Sequence, residues 1–112
     1  MPNRLQAMGL AYVRFALYHT HLFRLMFSPE IDKRGNTELA EAADSAFAPL
    51  IEEAERAGGP SAQELALASW AFVHGLSGLL LDRQILAQDT VGAEALARRL
   101  VAGYGIVPLG MR

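Results

Sequence analysis

Residues 69–82, SWAFVHGLSGLLLD, decide the fold of this chain. The stretch is apolar and too long for a single β-strand, so it predicts an α-helix. Gly75, Gly78 and His74 nevertheless lie in its middle. A glycine inside a helix costs about 1 kcal/mol relative to alanine, and a buried imidazole needs hydrogen-bond partners. The helix must therefore gain something from these three residues.

Two rows of apolar or small side chains run along this predicted helix. The first row consists of Leu65, Ala68, Phe72, Gly75 and Leu79. The second row consists of Leu67, Trp70, Ala71, His74, Gly78 and Leu81. A helix that is apolar on two sides packs on two sides, so we expect one row to face the core and the other to face a second surface. The small residues favour the close approach of another helix, but they would equally make room for Phe15 or Trp70 within one protomer.

The first part of the chain predicts a long helix over residues 4–27, apolar on two sides and therefore central. Histidine and threonine form helices poorly, so we expect a break or kink near His19 and Thr20. The next helix begins near Thr37. We expect it to kink just before Pro49, because proline removes a backbone donor and clashes with the preceding turn.

Capping signals delimit the last two predicted helices. SAQE, residues 61–64, is a capping box with Ser61 as the cap, and the helix that it opens should end near Ala87. A final helix should span about residues 90–102, before the non-helical sequence GYGIVPLG. Because no segment shows a sustained period-two pattern, the chain predicts one all-α domain, residues 1–112, built as a bundle of about five helices.

Composition excludes several classes of function. The chain has 112 residues, no cysteine and a formal charge of −2 from 10 basic and 12 acidic residues. Disulfides and thiolate metal sites are therefore excluded, and the balanced charge gives no electrostatic attraction for nucleic acid. No signal peptide is recognisable, and no apolar run reaches the about 20 residues that a membrane span requires. We expect a cytoplasmic protein that binds neither DNA nor membrane.

Side chains suited to catalysis or metal binding are few. His19 and His21 are two residues apart on different helix faces, so they do not form the i, i+4 pair of a helical zinc site. No serine lies in a nucleophile motif, and no glycine-rich loop is placed to hold phosphate. We therefore expect no enzymatic activity, no catalytic residue, no metal and no cofactor.

Aromatic and histidine side chains of the two long helices are expected to meet. His74 lies one turn from Trp70 on the same side of its helix. Facing them on the first helix are Tyr12, Phe15, His19, Phe23 and Met26. Rings with a few polar groups between helices form small-molecule pockets. A packed core with a polar network has the same composition, however, and a lone histidine on an apolar face is more often a core residue.

The stretches AYVRFALYHTHLFRLMFSPE and ALASWAFVHGLSGLLLD together resemble the C-terminal regulatory domain of TetR-type transcriptional repressors. The resemblance is to the subgroup with a Trp-His-Gly signature, here Trp70, His74 and Gly75, and it covers most of the chain from about Leu5. Thr20 stands where the family often has a proline, so a less abrupt break is expected there. The family's N-terminal helix-turn-helix domain is absent from these residues, which are not expected to bind DNA themselves.

This resemblance implies a function and a set of site residues. In such repressors the last two helices form a dimeric four-helix interface, and a ligand pocket lies between them and the central helix. The implied ligand-binding residues are Tyr12, Phe15, His19, Phe23, Met26, Trp70 and His74. The implied dimer-interface residues are Phe72, Gly75, Leu79, Leu96 and Leu100. The chain would then form a homodimer that senses a small, mostly apolar or aromatic effector; the alternative is a helical dimerisation or protein-interaction module without a ligand, whose interior would be densely packed.

Overall fold

The computed structural model describes residues 4–27, 48–56 and 61–105, and each of these ranges is helical over most of its length. The helices are α1 (Arg4–Tyr18), α2 (Thr20–Met26), α3 (residues 48–56), α4 (Ala62–Leu81) and α5 (Thr90–Leu100). No strand occurs within these three ranges, in agreement with the predicted all-α class. The predicted helix start near Thr37 and the kink ahead of Pro49 fall outside the described residues.

Helix α1 is central, as the sequence predicted, because both α4 and α5 pack against it. Their contact forms a continuous apolar core. The core consists of Leu5, Leu10, Val13, Val73, Leu76, Leu80, Ala93, Ala97 and Val101. Burial of these side chains is the main stabilising term that holds the described helices together.

The predicted interruption of the first helix is confirmed at His19. This residue leaves the helical region, with φ −132° and ψ 52°, and separates α1 from α2. The Thr20 hydroxyl donates to the carbonyl oxygens of Ala16 at 3.0 Å and Leu17 at 3.3 Å. A hydroxyl that bonds to carbonyls of the preceding turn bends a helix, so Thr20 supports the break without a proline.

The core face of α4 lies between the two rows that the sequence singled out. Its buried residues are Ala66, Ser69, Val73, Leu76, Ser77 and Leu80. The two serines are tolerated there because each hydroxyl donates to a carbonyl one turn earlier: Ser69 to Leu65 at 2.8 Å and Ser77 to Val73 at 2.7 Å. The expectation that one of the two rows is itself the core face was wrong. Both rows flank the buried stripe instead.

The start of α4 agrees with the sequence, whereas its end does not. Ser61 caps the helix by accepting a 3.2 Å hydrogen bond from the backbone N–H of Glu64. The helix ends at Leu81, six residues before the predicted Ala87. Arg83 has φ 59°, and hydrogen bonds from its N–H to the Leu80 oxygen and from the next N–H to the Leu79 oxygen complete a Schellman motif.

Helix α5 begins at a second side-chain cap. Asp89 accepts a 2.7 Å hydrogen bond from the backbone N–H of Gly92. The helix ends at Leu100, and residues Val101–Gly105 continue it as a π-helical turn with Val101 fully buried. The non-helical segment that the sequence predicted therefore does not begin at Gly103.

Candidate functional site

An aromatic cluster fills the space between α1, α2 and α4. It is formed by the rings of Tyr12, Phe23, Phe27, Trp70 and His74. The distances between ring centroids range from 4.5 Å for Phe27 and His74 to 6.5 Å for Phe27 and Trp70. Most of these pairs are tilted or edge-to-face, which is the geometry that aromatic quadrupoles favour.

A chain of polar contacts crosses this cluster. The indole Nε1–H of Trp70 donates to the Tyr12 hydroxyl at 3.2 Å. The same hydroxyl lies 2.5 Å from Nδ1 of His74. Three side chains on two helices therefore share one phenol oxygen, and the polar atoms are held in fixed directions among apolar rings.

Burial and hydrogen bonding act in opposite directions on the Tyr12 phenol. Desolvation raises the pKa of Tyr12 above its ordinary value, and the hydrogen bond from Trp70 offsets part of this rise. The net direction is upward, so the hydroxyl keeps its proton at neutral pH. Tyr12 is therefore a hydrogen-bond donor as well as an acceptor in this site.

Tyr12, Phe23, Trp70 and His74 are the predicted ligand-binding residues that the structure brings together. Phe15 and His19 instead form a separate stacked pair, with centroids 5.3 Å apart, and the Met26 side chain is 46% exposed. Phe15 lies in α1 together with Tyr12, so its position does not depend on the break, whereas Met26 lies beyond the break at His19, which changes the helical phase. In one continuous helix, spacing alone would have put His19 beside Tyr12.

Phe27 is a member of the cluster that the sequence reasoning missed. It is the first residue after α2 and its ring contacts those of Tyr12, Phe23, Trp70 and His74. The available signal was its spacing of four residues from Phe23, which puts the two rings on one side of a helix.

The predicted dimer residues lie on the open side of α4 and on α5. Gly75 and Leu79 are exposed, the latter by 45%. Phe72, Leu96 and Leu100 are partly buried at the edge of the core. Beyond the adjoining part of α4 itself, no atom of the described residues lies within 4 Å of a Cβ built on Gly75 or on Gly78. Within these residues, neither glycine is needed to make room for Phe15 or Trp70.

Two surface grooves lie elsewhere on the described helices. One, of about 560 Å³, lies between α1 and α3 and is lined by Arg4, Ala7, Met8, Ala11, Pro49, Glu52, Glu53 and Arg56. The other, of about 300 Å³, lies beside the α4–α5 turn and includes Leu17, Leu80, Ile85, Leu86 and Ala93. Neither groove is lined by a member of the aromatic cluster.

Comparison with known families decides the identity of the fold. A family model described as tetracycline repressor-like, C-terminal domain, matches residues 5–104. The chain belongs to this family. No curated protein and no solved structure matches it.

Membership of the TetR-type family gives the class of function. These C-terminal domains are regulatory domains that bind ligands and dimerise, and they are typically not enzymes. Among the described residues of this TetR-type domain, no group of three histidine, aspartate or glutamate side chains is close enough to hold a metal ion.

Helix α4 of the TetR-type domain meets the length and composition criteria of a membrane span. It has 20 residues and a mean hydropathy of 1.4, and 33% of the apolar window is buried. Because Gln63 and Glu64 lie near its start, the apolar run within this helix covers only residues 65–81, which is shorter than the about 20 residues that a span requires. Core helices pass the same test, and the face of α4 that carries Val73 and Leu76 is a core face.

Proposed function

We propose that the chain is the effector-binding and dimerisation domain of a TetR-type repressor of the Trp-His-Gly subgroup, acting in the cytoplasm. The effector is a small, mostly apolar or aromatic molecule. The observation that supports this proposal is the aromatic cluster, in which the Tyr12 hydroxyl bridges Trp70 and His74 among apolar rings. Domains of this family bind ligands, and this cluster combines stacking surfaces with oriented polar atoms.

The composition of the cluster selects the class of effector. Its members are Tyr12, Phe23, Phe27, Trp70 and His74, and none carries a fixed charge. The nearest ion pair of α2, Arg24 with Asp82 at 3.0 Å, has both side chains more than half exposed. A strongly ionic effector would have to give up its hydration without a buried counter-charge, which is expensive.

Dimerisation is proposed through the open face of α4 together with α5. Phe72, Gly75, Leu79, Leu96 and Leu100 would lie near the centre of the interface. The open space at Gly75 and Gly78 supports the close approach of a helix from a second copy. A stable dimer requires a total buried area of about 1,000 Å² or more.

Regulation would follow from a shift of conformational populations. An effector that prefers one arrangement of α1 and α4 stabilises that arrangement. In the intact regulator, the spacing of two DNA-reading domains would change with it. The chain itself has a formal charge of −2, so we expect no salt-dependent binding of duplex DNA by these residues.

A thermal-shift screen with matched aromatic compounds tests the effector proposal. Neutral compounds such as naphthalene derivatives should raise the thermal midpoint, whereas their sulfonated counterparts should not. A ligand present at a hundred times its Kd stabilises the folded state by about 2.7 kcal/mol. A panel in which no neutral aromatic compound raises the midpoint, or in which the sulfonated compounds act as strongly, would contradict the proposal.

The second candidate is a dimerisation module without a ligand. The close ring contacts favour it, because centroids as near as 4.5 Å leave the aromatic cluster packed. Both candidates are dimers, so the ligand screen separates them. A module of this kind would be a dimer whose thermal midpoint responds to protein concentration and to none of the compounds.

A further inference from the structure

One side of α4 is exposed, apolar and symmetric in the size of its side chains. Leu67, Ala71, Gly75 and Leu79 follow one another at intervals of four residues and are all exposed, so they lie along one side of the helix. A large residue stands at each end of this row, and two small residues stand in its middle. The row therefore has the same order of sizes when it is read in either direction.

This row fits a second copy of itself. A two-fold axis midway between Ala71 and Gly75 would make the two helices antiparallel, with Ala71 against Gly75 of the second copy. Leu67 would then lie against Leu79 of the second copy. The distance between packed helices depends on the side chains at the contact, so the small residues permit a close crossing. The helices diverge away from the crossing point, and the leucines fill the widening gap.

The two ends of the row carry opposite charge. Glu64 lies in the first turn of α4, seven residues before Ala71 and therefore on the same side. Arg83 is the second residue after the end of α4. Neither side chain forms an ion pair with another described residue. Asp82 is already paired with Arg24 at 3.0 Å, so Arg83 gives this end a net positive charge.

We propose that α4 packs antiparallel against α4 of a second copy, and that Glu64 of each protomer forms an ion pair with Arg83 of the other. This inference rests on the dimerisation part of the proposed function and adds its direction, its register and two specificity-determining residues. A parallel arrangement would put Glu64 beside Glu64 of the second copy, where like charges repel. The pair cannot form within one protomer, because the two residues are 19 positions apart, which is about 28 Å along a helix.

The ion pair selects the partner more than it binds the partner. Exposed ion pairs contribute little to stability, and the burial of the apolar row supplies most of the association. Like charges at the same positions are unfavourable, however. A related chain with a basic residue at position 64, or with an acidic residue at position 83, would therefore be disfavoured in a mixed dimer.

Charge reversal tests the direction of the packing. In the antiparallel dimer, Glu64→Arg puts two basic side chains together at both ends, and Arg83→Glu puts two acidic side chains together. We expect each variant alone to dimerise roughly three- to thirtyfold more weakly than the wild type, since two exposed ion pairs are lost. An equimolar mixture of the two variants should form heterodimers with an affinity near that of the wild type.

The measurements are sedimentation velocity for affinity and native mass spectrometry for the fractions of homodimer and heterodimer, which differ in mass. The mixture contains the same protomers as the two separate solutions, so effects of the substitutions on folding cancel in the comparison. Should a reversed variant fail to fold, Glu64→Gln and Arg83→Gln remove the same charges, and each should weaken dimerisation by a smaller factor.

Gln63→Arg is the matched control. It adds a positive charge at the neighbouring exposed residue, which lies on a different side of the helix from Glu64, and should leave dimerisation as in the wild type. In about 1 M salt the Debye length is about 3 Å, so the differences between the variants should largely disappear while the wild type remains a dimer.

Three results would overturn the proposal. Single variants that dimerise as well as the wild type, with a mixture that dimerises more tightly, would show parallel helices. Homodimers and heterodimers in statistical proportions at wild-type affinity would exclude the ion pair, and the dimerisation part of the proposed function would stand. A wild-type chain that is monomeric at micromolar concentration would overturn both.

Discussion

The Tyr18 hydroxyl donates a 2.9 Å hydrogen bond to Oε2 of Glu94 and so joins α1 to α5. The other carboxylate oxygen of Glu94 lies 2.8 Å from Nε of Arg14 and 3.8 Å from Arg98. Only 18% of the Glu94 side chain is exposed, against 59% for Arg14. Glu94 is therefore the centre of a polar network that fixes α5 against the end of α1.

Glu94→Ala should lower the free energy of unfolding by about 1 kcal/mol, which is the upper range for partly exposed ion pairs. Urea denaturation monitored by circular dichroism measures the change. Asp82→Ala is the control, because Asp82 and its partner Arg24 are both more than half exposed and should contribute less than about 0.5 kcal/mol. Equal effects for the two variants would contradict the assigned role of Glu94.

His74→Ala should lower the free energy of unfolding by about 1–3 kcal/mol, because the Tyr12 hydroxyl loses the hydrogen-bond partner Nδ1 that lies 2.5 Å away. The change should also weaken the binding of any effector found by screening. His21 is exposed on α2, so His21→Ala should leave both stability and binding as in the wild type. A His74→Ala protein of unchanged stability would show that the contact with Tyr12 contributes little to the fold.

Gly75→Leu should leave the stability of the protomer unchanged or higher and should weaken the association of two protomers. Beyond the adjoining part of α4, a Cβ at this position meets no described atom within 4 Å, and leucine favours a helix over glycine by about 0.5–1 kcal/mol, so the protomer should not lose stability. Association should weaken if a helix of a second copy crosses at this position. Sedimentation velocity measures the dimer fraction. Ala11→Leu, at an exposed position of α1, is the control that should leave association unchanged.

Arg83→Gly should stabilise the protein by about 0.5–1 kcal/mol. Arg83 has φ 59° at the end of α4, and a left-handed conformation costs a non-glycine residue roughly 1–2 kcal/mol. Glycine avoids this cost, but its greater conformational entropy in the unfolded chain cancels part of the gain. The thermal midpoint measures the gain. Gln84→Gly, one residue later, should give no such increase.

This position also shows why the sequence predicted the end of α4 incorrectly. Helices that end in a left-handed residue usually have glycine there, and an arginine gives no such signal. The apolar residues Ile85 and Leu86 then continue the pattern beyond the true end. The start was predictable because the cap of Ser61 is a local contact with a known sequence pattern.

The aromatic cluster was predictable only in part, because some of its contacts follow from spacing within one helix and others depend on where a helix is interrupted. The spacing of Trp70 and His74 within one helix puts them together, and the structure agrees. The predicted positions of the residues from His19 onward depended on a continuous helix. A single residue with non-helical dihedral angles at His19 separates α1 from α2, and the sequence predicted this break without giving its angle.

Alkaline pH should destabilise the wild type more than Tyr12→Phe. Burial raises the pKa of Tyr12 in the folded state, so above pH ~10 the unfolded chain releases this proton before the folded chain does. The folded state then binds more protons, and the free energy of unfolding falls as pH rises. Denaturation at stepwise higher pH should show a shallower decline for Tyr12→Phe. Parallel declines for the two proteins would contradict the raised pKa.

In the proposed dimer, the unequal burial of α4 would make stability depend on concentration. The apolar window of this helix is buried over only a third of its residues within the protomer, yet its composition is that of a helix covered on all sides. When a second copy covers the open face, dimer formation adds to the free energy of unfolding. This added stability rises with protein concentration, as mass action requires. A newly made chain in dilute surroundings would then spend longer in a state that proteases and chaperones recognise, so that gene dosage acts directly on the fraction of the regulator that survives.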